Sequence, residues 1–358
     1  MKQLQRMLII GLIGILGTTA CSPFVENNTI EEIAPVIFWY VKETGDGKLK
    51  ISTLAPPLVK EQKRLLTEEV HLLKQGGREF NLNYFRELKI GQLRVLLLDE
   101  KISKKGIRQL VNTVLIEPAI SQRLYLVIVT GDVDDYINNQ LTKQPDLDYF
   151  LYRMFKHYEK QGNIIIVNIH QFMKKLHSPY ADPVLPLFKA NHDHFSYEGT
   201  ALFKDDRLIT SIQKRQDEIF QLISNNYYLK TLAIPSLSVS LGKVRSKVEM
   251  ALNHDYSILT MKVKLEGRIE EYHGGKNIRD RNQLADLKRD IISYLEAQSR
   301  DLLKDLQKSK VDPLQIGTLT LTPFSRPMSE QEWFRHWEKM QIKVVYELDI
   351  QPLTKVIG

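Results

Sequence analysis

The chain has a single cysteine in 358 residues, Cys21, so no internal disulfide can form. Stability has to come from apolar cores, and 43% hydrophobic content in a chain of this length is enough to build them. Charged residues make up 26%, which is the balance of a folded protein and not of a disordered one. Phosphate-binding loops, dinucleotide glycine fingerprints, HExxH pairs and GxSxG elbows are all missing. Beyond Cys21 no stretch approaches the roughly eighteen uncharged apolar residues of a membrane-spanning helix. Internal repeats and low-complexity segments are absent too. The net charge is +7, but its basic residues are dispersed among acids. That dispersion excludes a nucleic-acid groove and leaves only a mild attraction to anionic lipid.

What is present begins at the N-terminus. Lys2 and Arg6 precede fourteen uncharged residues, Met7–Ala20, that end in Gly17, Thr18, Thr19 and Ala20. A positive start, an apolar middle and a small-residue exit form a secretory signal, here residues 1–20. As a helix the apolar run spans about 21 Å at 1.5 Å per residue, short of the roughly 30 Å hydrocarbon core. Leu16-Gly17-Thr18-Thr19-Ala20-Cys21 looks like a lipobox, so Cys21 is expected to carry lipid. Two acyl chains hold a protein on a bilayer where one would release it. The blander alternatives are an ordinary signal with a chance cysteine, or an uncleaved anchor.

The mature chain reads as α+β with several domains, each a sheet with packed helices. The expected divisions are an N-terminal mixed α/β domain over 22–190, a small middle domain or connector over 191–235, and a C-terminal sheet with a long helix over 236–358. Thr29-Ile30-Glu31-Glu32 resembles a capping box opening a short helix. Ala34–Val41 and Lys48–Leu54 flank a Gly45-Asp46-Gly47 turn and predict a hairpin. Lys60–Gln75 predicts a helix stopped by Gly76-Gly77. Leu93–Leu98 and Leu124–Val129 read as buried strands joined by a helix over Ser103–Leu115, a parallel βαβ pair. Asp146–Lys160 predicts a helix, Ile164–Val167 and Val184–Lys189 predict strands, and Ser178–Pro186 is irregular. Thr200–Phe203 and Arg207–Ile209 form a hairpin over Asp205-Asp206, followed by a helix to Ile223. Ser236–Met250 and Tyr256–Ile269 alternate as antiparallel strands. Arg281–Lys308 is the longest helix, with Leu284, Leu287, Ile291, Leu295, Leu302 and Leu306 in one stripe that lies on a sheet. Leu319–Leu321 and Ile342–Ile350 complete that sheet around a helix at Glu330–Lys339.

Candidate chemistry is sparse. His192 and His194 would share one face of a strand and could give zinc two imidazoles, but no spaced carboxylate partner accompanies them. Asp132, Asp134 and Asp135 mimic a calcium loop without its glycine or terminal acid, so helix capping by Asp132 with Asp135 is the better account. Trp333, Phe334 and Trp337 place two aromatics on one helical face, which suits packing better than a ligand cage. His273-Gly274-Gly275-Lys276 reads as a surface loop. No catalytic residue, metal or cofactor site is assigned, and a binding or scaffolding role is favoured over an enzyme.

Several segments, in order, resemble the Ger(x)C family, the lipoprotein C subunits of bacterial spore germinant receptors. They are Ile30–Ala34 (IEEIA), Leu93–Leu98 with the following Asp99–Ile107 (DEKISKKGI), Ile116-Glu117-Pro118, Tyr125–Thr130, Ala201–Leu208 (ALFKDDRL) and Leu265–Glu271 (LEGRIEE). The long helix and the final strand fall where that family has them. The resemblance implies three mixed α/β domains on the outer face of the spore inner membrane. It also implies integral membrane A and B subunits as partners, and a response to small nutrients. Only the lipid acceptor carries over, onto Cys21. The rival expectation is an exported solute-binding lipoprotein that captures a small ligand between domains.

Overall fold

The computed structural model describes residues 32–352, apart from 58–62, 145, 163, 225–227, 322, 324 and 325. Cys21 and the signal segment lie outside the described residues. So does most of the capping-box start at Thr29–Glu32, after which the chain forms strand β1 (Ile33–Pro35).

A nine-stranded sheet organises the first two-thirds of the chain. Its centre is parallel: β2 (Phe38–Glu43), β6 (Val95–Asp99), β7 (Tyr125–Gly131) and β9 (Val184–Ala190) lie side by side. Val95, Leu96, Leu97 and Leu98 are all fully buried, as a continuous apolar run requires in a parallel strand covered on both faces. Antiparallel strands extend each edge. β3 (Leu49–Ala55) and β4 (Arg64–Val70) follow β2, while β10 (Phe195–Lys204) and β11 (Arg207–Gln213) follow β9, and α7 (Lys214–Ile223) comes after β11 in the chain. The short β8 (Val167–Asn168) pairs with β7 and is all that forms of the strand expected over Ile164–Val167.

Alternation along the central strands divides the core into two layers. Phe38, Tyr40, Val95, Leu97, Val127 and Val129 face α4 (Val133–Leu141) and α5 (Leu147–Gln161). Trp39, Val41, Leu96, Leu98 and Ile128 face α1 (Leu73–Asn83), α3 (Arg108–Leu115) and α6 (Ile169–Leu176). Their layer continues into the C-terminal part of the chain.

Two helices depart from expectation. The segment read as a helix over Lys60–Gln75 is strand β4 from Arg64 to Val70, held to β3 in register from Leu49↔Val70 to Ala55↔Arg64. Inter-strand hydrogen bonding there overrides the helical preference of Leu and Glu. Gly76 and Gly77 do not end a helix but lie inside α1. A Cβ on Gly76 would stand 2.3 Å from Ile51 Cδ1, so the glycine lets α1 settle onto β3. Gly76→Val is expected to cost about 1–3 kcal/mol by overpacking, with Ile51 giving way first; urea unfolding measures it. The helix expected over Ser103–Leu115 is split into α2 (Glu100–Lys105) and α3 at Gly106, whose φ of +125° only glycine adopts readily.

The C-terminal part is a four-stranded sheet in the order β12 (Tyr228–Ile234), β13 (Val239–Leu252), β14 (Ile258–Tyr272), β15 (Gln341–Gln351). β13 and β14 are antiparallel, while β14 and β15 are parallel and linked through α8 (Arg281–Lys308) and α9 (Glu330–Trp337). Asp280 caps α8 by accepting from the N–H groups of Asn282 and Gln283. The predicted stripe packs on the sheet with Leu287, Ile291, Leu295, Leu302 and Leu306 buried, and Leu284 partly so. Its gap between Leu295 and Leu302 is filled by buried Ser299, whose Oγ lies 2.8 Å from the Tyr346 hydroxyl. Leu319–Leu321 is not a strand: Ile316–Thr320 forms a 3₁₀ turn. The fourth strand is β12, whose apolar Leu229 and Leu232 stand three apart and so hide the period of two. Among the described residues no helix is long and apolar enough to cross a membrane.

Candidate functional site

The turn between β10 and β11 is where distant segments meet. Lys204 pairs with Arg207 across Asp205-Asp206, and Asp205 takes φ 53°, a left-handed conformation that aspartate tolerates. The Asp206 carboxylate accepts from the Arg108 N–H at 3.0 Å and its carbonyl accepts from Ile107 N–H at 3.0 Å. Asp206 thus caps α3 from 98 residues away, supplying what the residue before α3, Ile107, has no side chain to supply. A Cβ on Gly106 would stand 2.7 Å from Asp206 Oδ2. The KKGI and KDDR segments are therefore one contact.

On the other side of this turn, Lys204 reaches the C-terminal part. Its Nζ lies 2.9 Å from Glu330 Oε1, 3.3 Å from Asp182 Oδ1, and 3.5 Å from the centre of the Phe334 ring. Asp182 and Asp312 then hold each other. The Asp182 N–H donates to the Asp312 carbonyl at 3.0 Å, and the Asp312 N–H donates to Asp182 Oδ2 at 2.7 Å. The Asp312 carboxylate, fully buried, accepts from Ile316 N–H at 2.9 Å and Gly317 N–H at 2.7 Å. Burial pushes Asp312 up to about 7 against the pull of those two N–H donors. Burial also raises Asp182, with Lys204 opposing. Lys175 donates to the Pro313 carbonyl at 2.8 Å, and burial lowers its ammonium to about 8.

Beside this cluster lies a cavity of about 880 Å³, with Phe172, Lys175, Val184, Phe220, Met250 and Leu314 among its walls. The volume is within the range of small-molecule sites, and its lining mixes apolar side chains with polar ones and two cations, Lys174 and Lys175.

The residues singled out by sequence do other things. His192 Nδ1 lies 2.9 Å from Asp135 Oδ2, and the neighbouring Asp193 binds Lys143 at 3.0 Å. Both imidazole-bearing residues, His192 and His194, are exposed, and no group of three His, Cys, Asp or Glu among the described residues could hold a metal. Asp132 caps α4 by accepting from Asp135 N–H. Asp134 turns away to Lys42 and Lys50, both at 2.9 Å, and to the Ser52 hydroxyl at 2.8 Å. Burial would raise its pKa, but those hydrogen bonds outweigh it and hold the carboxyl low. Trp333 and Trp337 are fully buried and stacked at 6.0 Å. Phe334 carries the Lys204 ammonium. The loop His273–Lys276 is ordered by Lys276 N–H donating to the Tyr272 hydroxyl at 3.1 Å.

Sequence reasoning passed over Lys175, Asp182, Lys204 and Asp312 as a group. One signal was available: Asp182 and Asp312 each precede a proline, and Asp-Pro marks a turn.

Comparison with known proteins bears on this geometry. Residues 26–190 match the family described as "Spore germination protein N-terminal domain". Residues 198–352 match "Spore germination B3/ GerAC like, C-terminal". The chain belongs to the Ger(x)C family. This Ger(x)C protein is 22% identical over 270 residues to a spore germination protein, GerQC, of Bacillus cereus, covering 74% of this chain and 75% of that one. The crystal structure of the GerBC protein shares its fold at a TM-score of 0.56 and 14% identity, over 87% of this chain and 96% of that chain. Ger(x)C proteins are germinant receptor subunits and not a known enzyme family. The KKGI–KDDR contact described above straddles the boundary between the two matched regions.

Proposed function

We propose that this protein is a lipid-anchored, non-enzymatic C subunit of a spore germinant receptor. It acts by contact with integral membrane A and B subunits on the outer face of the spore inner membrane. The observation that carries the reading is the order of segments: a lipobox-like cysteine, then both Ger(x)C regions in sequence over 26–190 and 198–352. A tether raises the effective concentration of the protein near membrane partners, so modest interfaces suffice. Removing the gene from a spore former is expected to abolish germination with some nutrients and spare others. An unchanged response to every nutrient defeats the reading.

Cys21→Ala tests the anchor separately. The variant is expected to lose the mass of the acyl groups and to leave the membrane fraction, because a chain without two acyl groups binds a bilayer only weakly and reversibly. A variant of unaltered mass that stays in the membrane fraction excludes Cys21 as the anchor.

The cavity of about 880 Å³ favours a second reading, capture of a small solute. Under that reading one small molecule raises the melting temperature of the protein in the absence of any membrane partner.

A further inference from the structure

Two neighbouring helices, α1 and α3, carry or adjoin large exposed apolar side chains. Leu72, Leu82 and Phe85, around α1, are 70%, 68% and 64% exposed, and Ile116 at the end of α3 is 68% exposed. Between α1, β5 (Glu87–Lys89) and the end of α3 runs a groove of about 470 Å³, with Leu73, Leu88, Ile90, Val114 and Ile120 in its walls. Single exposed hydrophobics are ordinary, but here three lie on or beside α1 and one at the end of α3, the two helices that wall an apolar groove. Cations border it. Lys74, Arg78 and Leu82 recur every four residues, so they share one side of α1. Lys74 reaches Glu117, next to Ile116, only at 3.8 Å, and Arg78 has no ion-pair partner among the described residues.

The position of the chain's entry says what lies opposite. The Glu32 carbonyl accepts from Glu87 N–H at 2.8 Å, two residues from Phe85. Ten residues, 22–31, separate it from Cys21. At about 3.5 Å per residue they reach at most about 35 Å. A lipid on Cys21 therefore tethers the chain beside this face and leaves it within reach of the bilayer.

We infer that the α1–α3 face lies against the membrane. Leu72, Leu82, Phe85 and Ile116 enter the interfacial region, and Lys74 and Arg78 meet anionic headgroups. This inference rests on the lipid anchor at Cys21, and it adds which surface the anchored protein turns to the bilayer.

The test uses the full lipidated chain in vesicles of phosphatidylcholine and phosphatidylglycerol. An environment-sensitive fluorophore is placed at Leu82→Cys or Phe85→Cys, with Lys247→Cys on β13 as the distant control; lipid occupies Cys21 and keeps it from labelling. Both labelled positions are exposed, so the core is untouched, and an unchanged melting temperature verifies this. Expected are a blue shift and quenching by spin-labelled lipid at positions 82 and 85, with neither at 247, and a smaller shift when phosphatidylglycerol is omitted. A protein that sediments with vesicles but shows water-like emission at 82 and 85 overturns the inference, leaves the anchor standing and hands the patch to a protein partner. A protein that does not sediment with vesicles overturns the anchor and this inference together.

Discussion

Trp337→Ala is expected to destabilise the protein by about 3–5 kcal/mol, the range for emptying a buried aromatic site. Trp337 is fully buried and stacked on Trp333. Its Nε1 donates to the Val311 carbonyl at 3.0 Å. The Gln307 amide in turn donates to the Trp337 carbonyl at 2.7 Å and to the Met340 carbonyl at 2.9 Å, so α8, α9 and the start of β15 are tied at this point. Removing the indole leaves a cavity and an acceptor without a donor. Trp337→Phe separates the two effects: it keeps most of the apolar volume and is expected to cost about 1–3 kcal/mol, chiefly for the unpaired Val311 carbonyl. Urea unfolding of the full chain reads both. Near-native stability in the alanine variant would contradict the packing described for α9.

Asp312→Ala is expected to cost about 2–5 kcal/mol, since it strands the N–H groups of Ile316 and Gly317 in a fully buried place. The same carboxyl makes stability depend on pH. Folded Asp312 titrates at about 7 and its unfolded counterpart near 3.8, so between these values the folded state holds a proton the unfolded state has released. Stability contributed by this group is full below about pH 4 and is lost as pH rises to 7. Lys175 works in the opposite direction. Its ammonium titrates at about 8 when folded and 10.5 when unfolded, so its contribution is full above 10.5 and lost as pH falls to 8. The two together leave the junction weakest between about pH 7 and 8. Asp312→Asn cannot titrate. Melting temperatures of the native protein minus those of this variant should therefore fall from pH 4 to pH 7 and level off above. A flat difference would mean that Asp312 is ionised throughout.

The parallel centre of the large sheet was legible because Leu93–Leu98 and Leu124–Val129 are apolar without alternation, the pattern of strands covered on both faces. The hairpin at Asp205-Asp206 and the alternating pair β13 and β14 were equally plain. Helix α8 was read to the residue, since its apolar stripe has helical spacing and Pro313 follows. β4 was misread because Leu65, Leu66, Glu68 and Glu69 favour a helix locally, and only pairing with β3 overrules them. Gly76 was misread for a related reason: a glycine that ends a helix and one that admits a neighbouring strand look identical in sequence.

The candidate site divides in the same way. The KKGI and KDDR segments stood out individually, and the chain's membership of the Ger(x)C family followed from their order. Nothing local said that Asp206 would cap α3, or that Lys204 would lie between Asp182 and Phe334. Sequence alone determined the apolar central strands, the Asp205-Asp206 hairpin, the long helix and the family, because each is written in residues close together along the chain. Tertiary structure alone decided which carboxylates are buried, which cation faces which ring, and which face stays bare. Those outcomes depend on groups about 100 to 130 residues apart being brought within about 3.5 Å, and on the water excluded when they meet.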